Sequence, residues 1–404
     1  MTGPDFTTRF ALHPSTRAAA EAARELAPVL RSRAAEAESR RMVHAETIAD
    51  MRTAGLFRLM QPESYDGTGR AFADYVVVAE ELGAGCPSSA WIYANVVLKS
   101  WMIGMFPREA QDDVWGADRD TIAASILRPT GRSRPVAGGY RLTGKWSYVS
   151  GVDHTQWTII GSLREGANGS MEPVVHLVPR QDYRIVDNWH VVGLVASGSK
   201  DIVLEDVFVP EHRTLTVAQV QSGKAPGAAI HPENPVFRVP LMSSFGIFIC
   251  APVMGIARGA LACFLETIGA RATMGGAAGG GAGMTSLPTI QLRLAEAQMR
   301  IDAARATMLD SAVATLHEAS HGGVSDGQRI ANRRAQSYSA RISVEAVDIM
   351  FEAVGAAGLF LSQDLQRYWR DAHAGAAHFG INWDAIRLMC GQYAAGQEPA
   401  LKYY

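Results

Sequence analysis

Two histidines four residues apart are the first arrangement in this sequence with an evident chemistry. His317-Glu318-Ala319-Ser320-His321 fits HExxH, in which histidines on one helix face grip zinc and the glutamate acts as general base. The segment runs straight into Gly322-Gly323, where a helix would end, and Val324 stands where the longer zinc motif has a glycine. A solvated helix end is the expected reading, so no metal site is assigned. His13, His44, His176, His212 and His231 have no paired ligand or nucleophile. His154, His190, His373 and His378 sit among aromatic or small residues, a setting in which burial and neighbours tune imidazole across neutral pH. The four cysteines (Cys86, Cys250, Cys263 and Cys390) form no CxxC pair, and no GxSxG elbow supplies a nucleophile.

Phosphate-binding signatures are equally sparse. Gly275-Gly276-Ala277-Ala278-Gly279-Gly280-Gly281 follows a helical stretch rather than a strand and lacks the Lys-Ser/Thr of a P-loop. It reads as a flexible insertion. No GxGxxG follows a strand, so no nicotinamide site is evident. A formal charge of -2 over 404 residues gives no basic field for nucleic acid and no polybasic face for lipid. Scattered, unpaired cysteines fit a reducing cytoplasm. There is no signal-peptide pattern, and the most apolar run, Phe245 to Ala257, is expected to be buried core, too short for a membrane span.

The elements that must position any site change character twice. From about Ser15 to Gly116 apolar residues recur three and four apart, as in Ile48, Met51, Leu56 and in Tyr75, Val78, Leu82. Short Val-, Ile-, Tyr- and Trp-rich runs then alternate with turns: 121–127, 140–149, 157–162, 174–178 and 201–207. Gly138-Gly139 and Gly166 to Gly169 punctuate hairpins, which predicts an antiparallel β domain. Residues 217–237 read as irregular. Helical periodicity returns from Leu241, with long candidates at 253–272, 288–318, 328–355 and 382–392, and Ser325/Gln328 matches a capping box. The expected division is 1–120 helical, 121–237 β and barrel-like, and 238–404 a helical bundle.

Several segments, taken in order, resemble one family. They are Gly144-Lys145-Trp146-Ser147-Tyr148-Val149-Ser150-Gly151-Val152-Asp153-His154, Trp189 to Leu194, Ser197 to Asp201, Val207 to His212, Leu292 to Arg305, and Arg370-Asp371 followed by His378. They resemble the two-component flavin-dependent monooxygenases, over nearly the whole chain. The resemblance implies an α+β, mostly α, acyl-CoA dehydrogenase-like fold with a C-terminal four-helix bundle. It implies reduced FAD or FMN delivered by a separate NAD(P)H flavin reductase, O2 carried as a flavin C4a-hydroperoxide, a small aromatic substrate, and a homotetramer.

Roles follow from the matched positions. Ser150 is implied beside flavin N5 and His378 beside C4a, as the catalytic pair. Trp91, Ser125, Ile126, Leu127, Tyr148, Val149, Arg271, Ala356, Ala357 and Phe379 are implied as further flavin contacts, with Arg271 at phosphate. Arg271 or Ala356 is expected to act on a neighbouring subunit's site. Lys99 and Trp101 are placed on the substrate side. Lys99 stands where phenol hydroxylases of this group have histidine, which shifts the expectation from phenol toward an indole, a polyketide or an amine. N-oxygenation and acyl-CoA dehydrogenation stay open as alternatives on the same scaffold.

Overall fold

The computed structural model describes residues 13–166, 169–271 and 283–399; residue 272 of the helix expected at 253–272, the glycine-rich segment at 275–281, and residues 167–168 of the expected hairpin turn lie outside them. Five helices open the chain: α1 (Pro14–Arg40), α2 (Ala45–Thr53), α3 (Phe72–Gly85), α4 (Pro87–Ile103) and α5 (Arg108–Trp115). Helix α4 is apolar on nearly every side, and all but one of its residues are buried, as expected for a helix wrapped by other elements.

Seven strands follow: β1 (Ala123–Val136), β2 (Gly139–Val149), β3 (Trp157–Glu165), β4 (Met171–Pro179), β5 (Arg184–Val186), β6 (Lys200–Pro210) and β7 (Thr214–Thr216). Their order is β5-β6-β2-β1-β3-β4-β7. The sheet is mixed rather than antiparallel, because β1 and β3 run parallel. Strand β2 returns from a tight turn, with Gly138 at φ +77°, and the chain then crosses to the opposite edge of β1. Pairing runs from β5 to β7 without closing a ring among the described residues, so the sheet is not a hydrogen-bonded barrel.

Residues 217–237 hold two short helices, α6 (Val217–Gln221) and α7 (Pro226–Ile230). The C-terminal half is α8 (Leu241–Gly269), α9 (Pro288–Ser320), α10 (Asp326–Val354), α11 (Asp364–Ala376) and α12 (Trp383–Ala394). Helices α8 to α11 make the bundle and α12 lies against α10. The helix expected from 253 begins twelve residues earlier, as α8, and carries Pro252 inside. Gly83 and Gly255 face each other so closely that a Cβ on Gly83 would come within 2.9 Å of the Gly255 Cα, which lets α3 and α8 pack backbone to backbone. Helix α8 is long and apolar enough to cross a membrane by length and composition, contrary to the expectation from Phe245–Ala257 alone. Its most apolar 18-residue window is 83% buried inside the chain, so that surface is already covered.

The HExxH segment resolves simply. His321 is the C-cap of α9, outside helical geometry, and its Nδ1 lies 2.8 Å from the His317 carbonyl. Glu318 accepts from the Ser325 N–H at 2.7 Å. Only half of the foreseen capping box forms, because the Gln328 side chain turns to Asn332 instead. Among the described residues no three His, Cys, Asp or Glu side chains group as metal ligands.

Candidate active site

A cavity of about 510 Å³ lies where all three regions meet. Helix α4 supplies one wall through Trp91, Asn95 and Lys99, spaced i, i+4, i+8 on a single face. At 1.5 Å per residue the stripe spans roughly 12 Å, from Trp91 near the β domain to Lys99 deeper in. Trp101, two residues further, points the other way round the helix. Its ring stacks on Phe248, meets Phe72 edge-on, and donates from Nε1 to the Val236 carbonyl at 2.9 Å. The expected substrate role of Trp101 is therefore corrected to core packing.

The β domain contributes two irregularities. Pairing of β1 with β3 slips between Ile126 and Gly131, and the bulge turns Ser125, Ile126, Leu127 and Arg128 toward the cavity. The indole of Trp146 fills the space beneath this bulge. It is fully buried, donates to the Gly161 carbonyl at 2.6 Å, and leaves no room for a Cβ on Gly131. The second irregularity lies between Trp146 and Val149 in the β2–β6 pairing, where Tyr148 takes φ +71°. Tyr148 and Ser150 then face the cavity, while Val149, on the alternate face, is buried in the β core. Val149 is thereby removed from the list of cavity side chains.

The segment from Asp187 to Lys200 forms a third wall, with Trp189, Gly193, Leu194, Ser197 and Ser199 on the cavity. Between Asp187 and Ser199 its one regular element is a short turn at Val195–Ser197, and it is held by neighbours. Arg41 donates to Asp187 and to the Trp189 carbonyl. Arg370 donates to the Val192 carbonyl, and Asp371 Oδ1 accepts from the Leu194 N–H, each at 2.5 Å. Sequence reasoning missed these wall residues, although the segments carrying them had been singled out. It also missed Asn95, which the i+4 spacing between Trp91 and Lys99 would have revealed.

Beyond α11, His378 caps the turn Phe379–Ile381, and its Nδ1 accepts from the Gly380 N–H at 3.0 Å. With Nδ1 used as an acceptor, the neutral ring carries its proton on Nε2 and is a donor there. Trp91, Phe245 and Phe379 surround the ring at 4.7–5.9 Å. Burial, with Lys99 and Arg333 nearby, pushes His378 down to about 4, so the imidazole is neutral at physiological pH. Lys99 is 1% exposed, its Nζ donates to Asn95 Oδ1 at 2.9 Å, and burial pushes it down to about 7. Among the described residues no aspartate or glutamate lines the cavity. The α-proton abstraction of an acyl-CoA dehydrogenase thus has no carboxylate base in it.

Nine of the expected site residues meet here: Trp91, Lys99, Ser125, Ile126, Leu127, Tyr148, Ser150, His378 and Phe379. Arg271, Ala356 and Ala357 do not. Phe245, near the start of α8, lines the cavity, whereas Arg271 lies past the other end of that helix, roughly 35 Å along its axis. Ala356 and Ala357 occupy the turn after α10, far along that helix from Arg333 beside His378. Within one chain these three residues are apart from the cavity.

Planar aromatic walls, hydroxyl and backbone donors, and cations without carboxylates fit a flavin ring. Residues 14–118 match the acyl-CoA dehydrogenase N-terminal domain and 247–383 the acyl-CoA dehydrogenase C-terminal domain. The oxygenase component of an FADH(2)-dependent resorcinol hydroxylase from Rhizobium sp. (strain MTP-10005) is 39% identical over 94% of each chain. The chain belongs to the flavin-dependent monooxygenases of this fold. Among solved monooxygenases, HsaA from M. tuberculosis superposes with a TM-score of 0.90 at 31% identity, over 96% of this chain and 100% of that one. XiaF from Streptomyces, solved with FADH2 and glycerol, gives 0.88 at 29%, over 96% and 98%. Like other members of this monooxygenase family, the chain is an enzyme that uses reduced flavin and O2.

Proposed function

We propose that this monooxygenase hydroxylates a phenol-type aromatic ring, taking reduced FMN or FAD from a separate NAD(P)H reductase. The observation that carries the choice of substrate is Lys99. Its exchange for histidine had argued against a phenol, but its surroundings reverse that argument. A buried amine whose acid constant lies near neutrality, with Asn95 its one hydrogen-bond partner among the described residues, can take a phenolic proton and then pair with the phenolate.

Bound flavin would supply activated oxygen. The rest is the work of this chain. With a flavin bound, Tyr148, Trp189, Phe245 and Phe379 would shield its ring from water, Ser150 would offer a hydroxyl to a polar edge, and His378 would offer a fixed Nε2–H donor. Arg128, exposed at the rim and without a salt bridge among the described residues, suits a flavin phosphate. Assembly into a tetramer is part of the same reading. It is supported by exposed apolar side chains along the bundle, including Leu292, Met299, Leu388 and Leu361, and would bring Arg271 or Ala356 toward another copy's cavity; sedimentation velocity tests it. Four free cysteines, three of them buried, support a cytoplasmic setting, which fractionation tests.

The decisive experiment mixes apoprotein anaerobically with reduced FMN or FAD, then admits O2 with and without resorcinol, and measures hydroxylated product against hydrogen peroxide. Product formation tied to the phenol is expected. Peroxide alone across a panel of phenols, or flavin reduction by an acyl-CoA, would overturn the reading.

A further inference from the structure

Asparagine is a poor helix former, yet Asn95 stands in the middle of α4 and is the one residue of that helix that is not buried. It lies on the cavity wall between Trp91 and Lys99. Its Nδ2 donates to the Trp91 carbonyl at 2.9 Å, one turn back, and its Oδ1 accepts from Lys99 Nζ at 2.9 Å, one turn on. A carbonyl can only accept, so the amide NH2 must face Trp91 and the oxygen is left to Lys99. The orientation of the amide is therefore fixed by its own helix.

That orientation suits a lysine that changes protonation state. The ammonium has three hydrogens and the neutral amine two, and either gives one to Asn95. In the neutral state a second hydrogen and the lone pair remain for whatever occupies the cavity, which Lys99 lines. A carboxylate in the place of Asn95 would instead favour the ammonium and keep its proton on. Among the described residues no carboxylate bonds Lys99. Those of the helices packed on α4 are engaged elsewhere: Glu80 with Arg305, Glu81 with Arg24 and Arg258, and Asp371 with the Leu194 N–H. Burial holds Tyr75, Tyr93 and Cys250 protonated. The other titratable side chains on the cavity are Tyr148, Arg128 and His378, with Arg333 beyond His378.

We propose that Asn95 is a positioning residue that anchors the Lys99 amine through a neutral acceptor, presenting its lone pair to a phenolic hydroxyl and keeping its hold once the proton has arrived. The phenolic O–H bond breaks, the proton forms an N–H bond with the lone pair of Lys99 Nζ, and the O–H electron pair stays on the phenolate, which pairs with the ammonium. This rests on the phenol reading above and adds the residue that lets Lys99 act as a base.

The probe is 4-nitrophenol, whose phenolate absorbs visible light, titrated across pH on the protein without flavin. Bound to the wild type, it should ionise at lower pH than in buffer. Asn95→Asp should raise that midpoint by about one pH unit or more, because Lys99 is then already protonated and a second anion faces the phenolate. Asn95→Ala removes the anchor and adds no charge. It should bind the phenolate about fivefold more weakly, the size of one neutral hydrogen bond, and move the midpoint less than Asn95→Asp does. Urea titration confirms that each variant folds, and Asn95→Ala decides alone if Asn95→Asp does not. A midpoint unchanged in Asn95→Asp, or wild-type affinity for the phenolate in Asn95→Ala, would remove the positioning role and leave the phenol reading standing. If nitrophenol ionises no more readily on the wild type than in buffer, Lys99 takes no phenolic proton, and the phenol reading fails together with this proposal.

Discussion

Lys99→Met should stabilise the protein at neutral pH and have little effect near pH 10. Burial lowers the lysine from 10.5 to about 7. A tenfold change in acid constant is worth about 1.36 kcal/mol, so keeping this side chain in the fold at pH 7 costs on the order of 4 kcal/mol relative to the unfolded chain. Methionine preserves an unbranched stem without the charge and forfeits the bond to Asn95, about 1 kcal/mol. A net gain of about 3 kcal/mol follows. Because the folded value lies below the unfolded one, the contribution of the lysine to stability is present above pH 10.5 and is lost as pH falls toward 7. The wild type should close the gap on the variant across that window, and the gap should stay constant below it. Parallel urea titrations of both proteins at several pH values measure the difference directly, since all other titrating groups cancel. A gap that is flat from neutral to alkaline pH would refute a buried, readily neutral Lys99. The same refutation would remove its ability to take a phenolic proton.

Three further outcomes are expected. Burial raises Asp371 to about 7, so its contribution to stability is present below about pH 4 and lost as pH rises to 7. Asp371→Asn should match the wild type near pH 4 and unfold at higher urea near pH 8, by roughly 2–4 kcal/mol. Gly193→Ala would set a Cβ 2.5 Å from the Arg370 carbonyl and 2.8 Å from the Ala374 Cβ. It should cost roughly 1–3 kcal/mol and weaken flavin binding, as read by thermal unfolding and titration. His378→Ala removes the Nε2–H donor, and product per O2 should fall at least tenfold with a matching rise in peroxide. Because His378 is held near 4 and Lys99 near 7, an inflection of wild-type coupling near neutrality should persist in His378→Ala and disappear in Lys99→Met.

The sequence showed the α–β–α order through plain periodicity, and its departures have physical causes. Helix α11 went unread although it is strongly amphipathic; its buried face mixes Leu365, Tyr368 and Ala372 with Gln366, Arg367 and Asp371. Those polar groups face inward for a reason. Asp371 holds the Leu194 N–H, and Arg367 pairs with Asp364. Strand β5 has three residues and β7 three, below the length at which alternation can be seen. The parallel β1–β3 pair depends on where the chain crosses after β2, which no local pattern encodes.

The site divides along the same line. Trp91, Lys99, Ser150 and His378 were legible because each lies in a recognisable segment, and the structure brings them to one cavity. Trp101 and Val149 were placed by neighbourhood in sequence, and helix rotation and strand alternation turned each away from its neighbour. The wall from Trp189 to Ser199 was legible as a segment but not as a surface, since its shape is imposed by Arg41, Arg370 and Asp371 from two other helices.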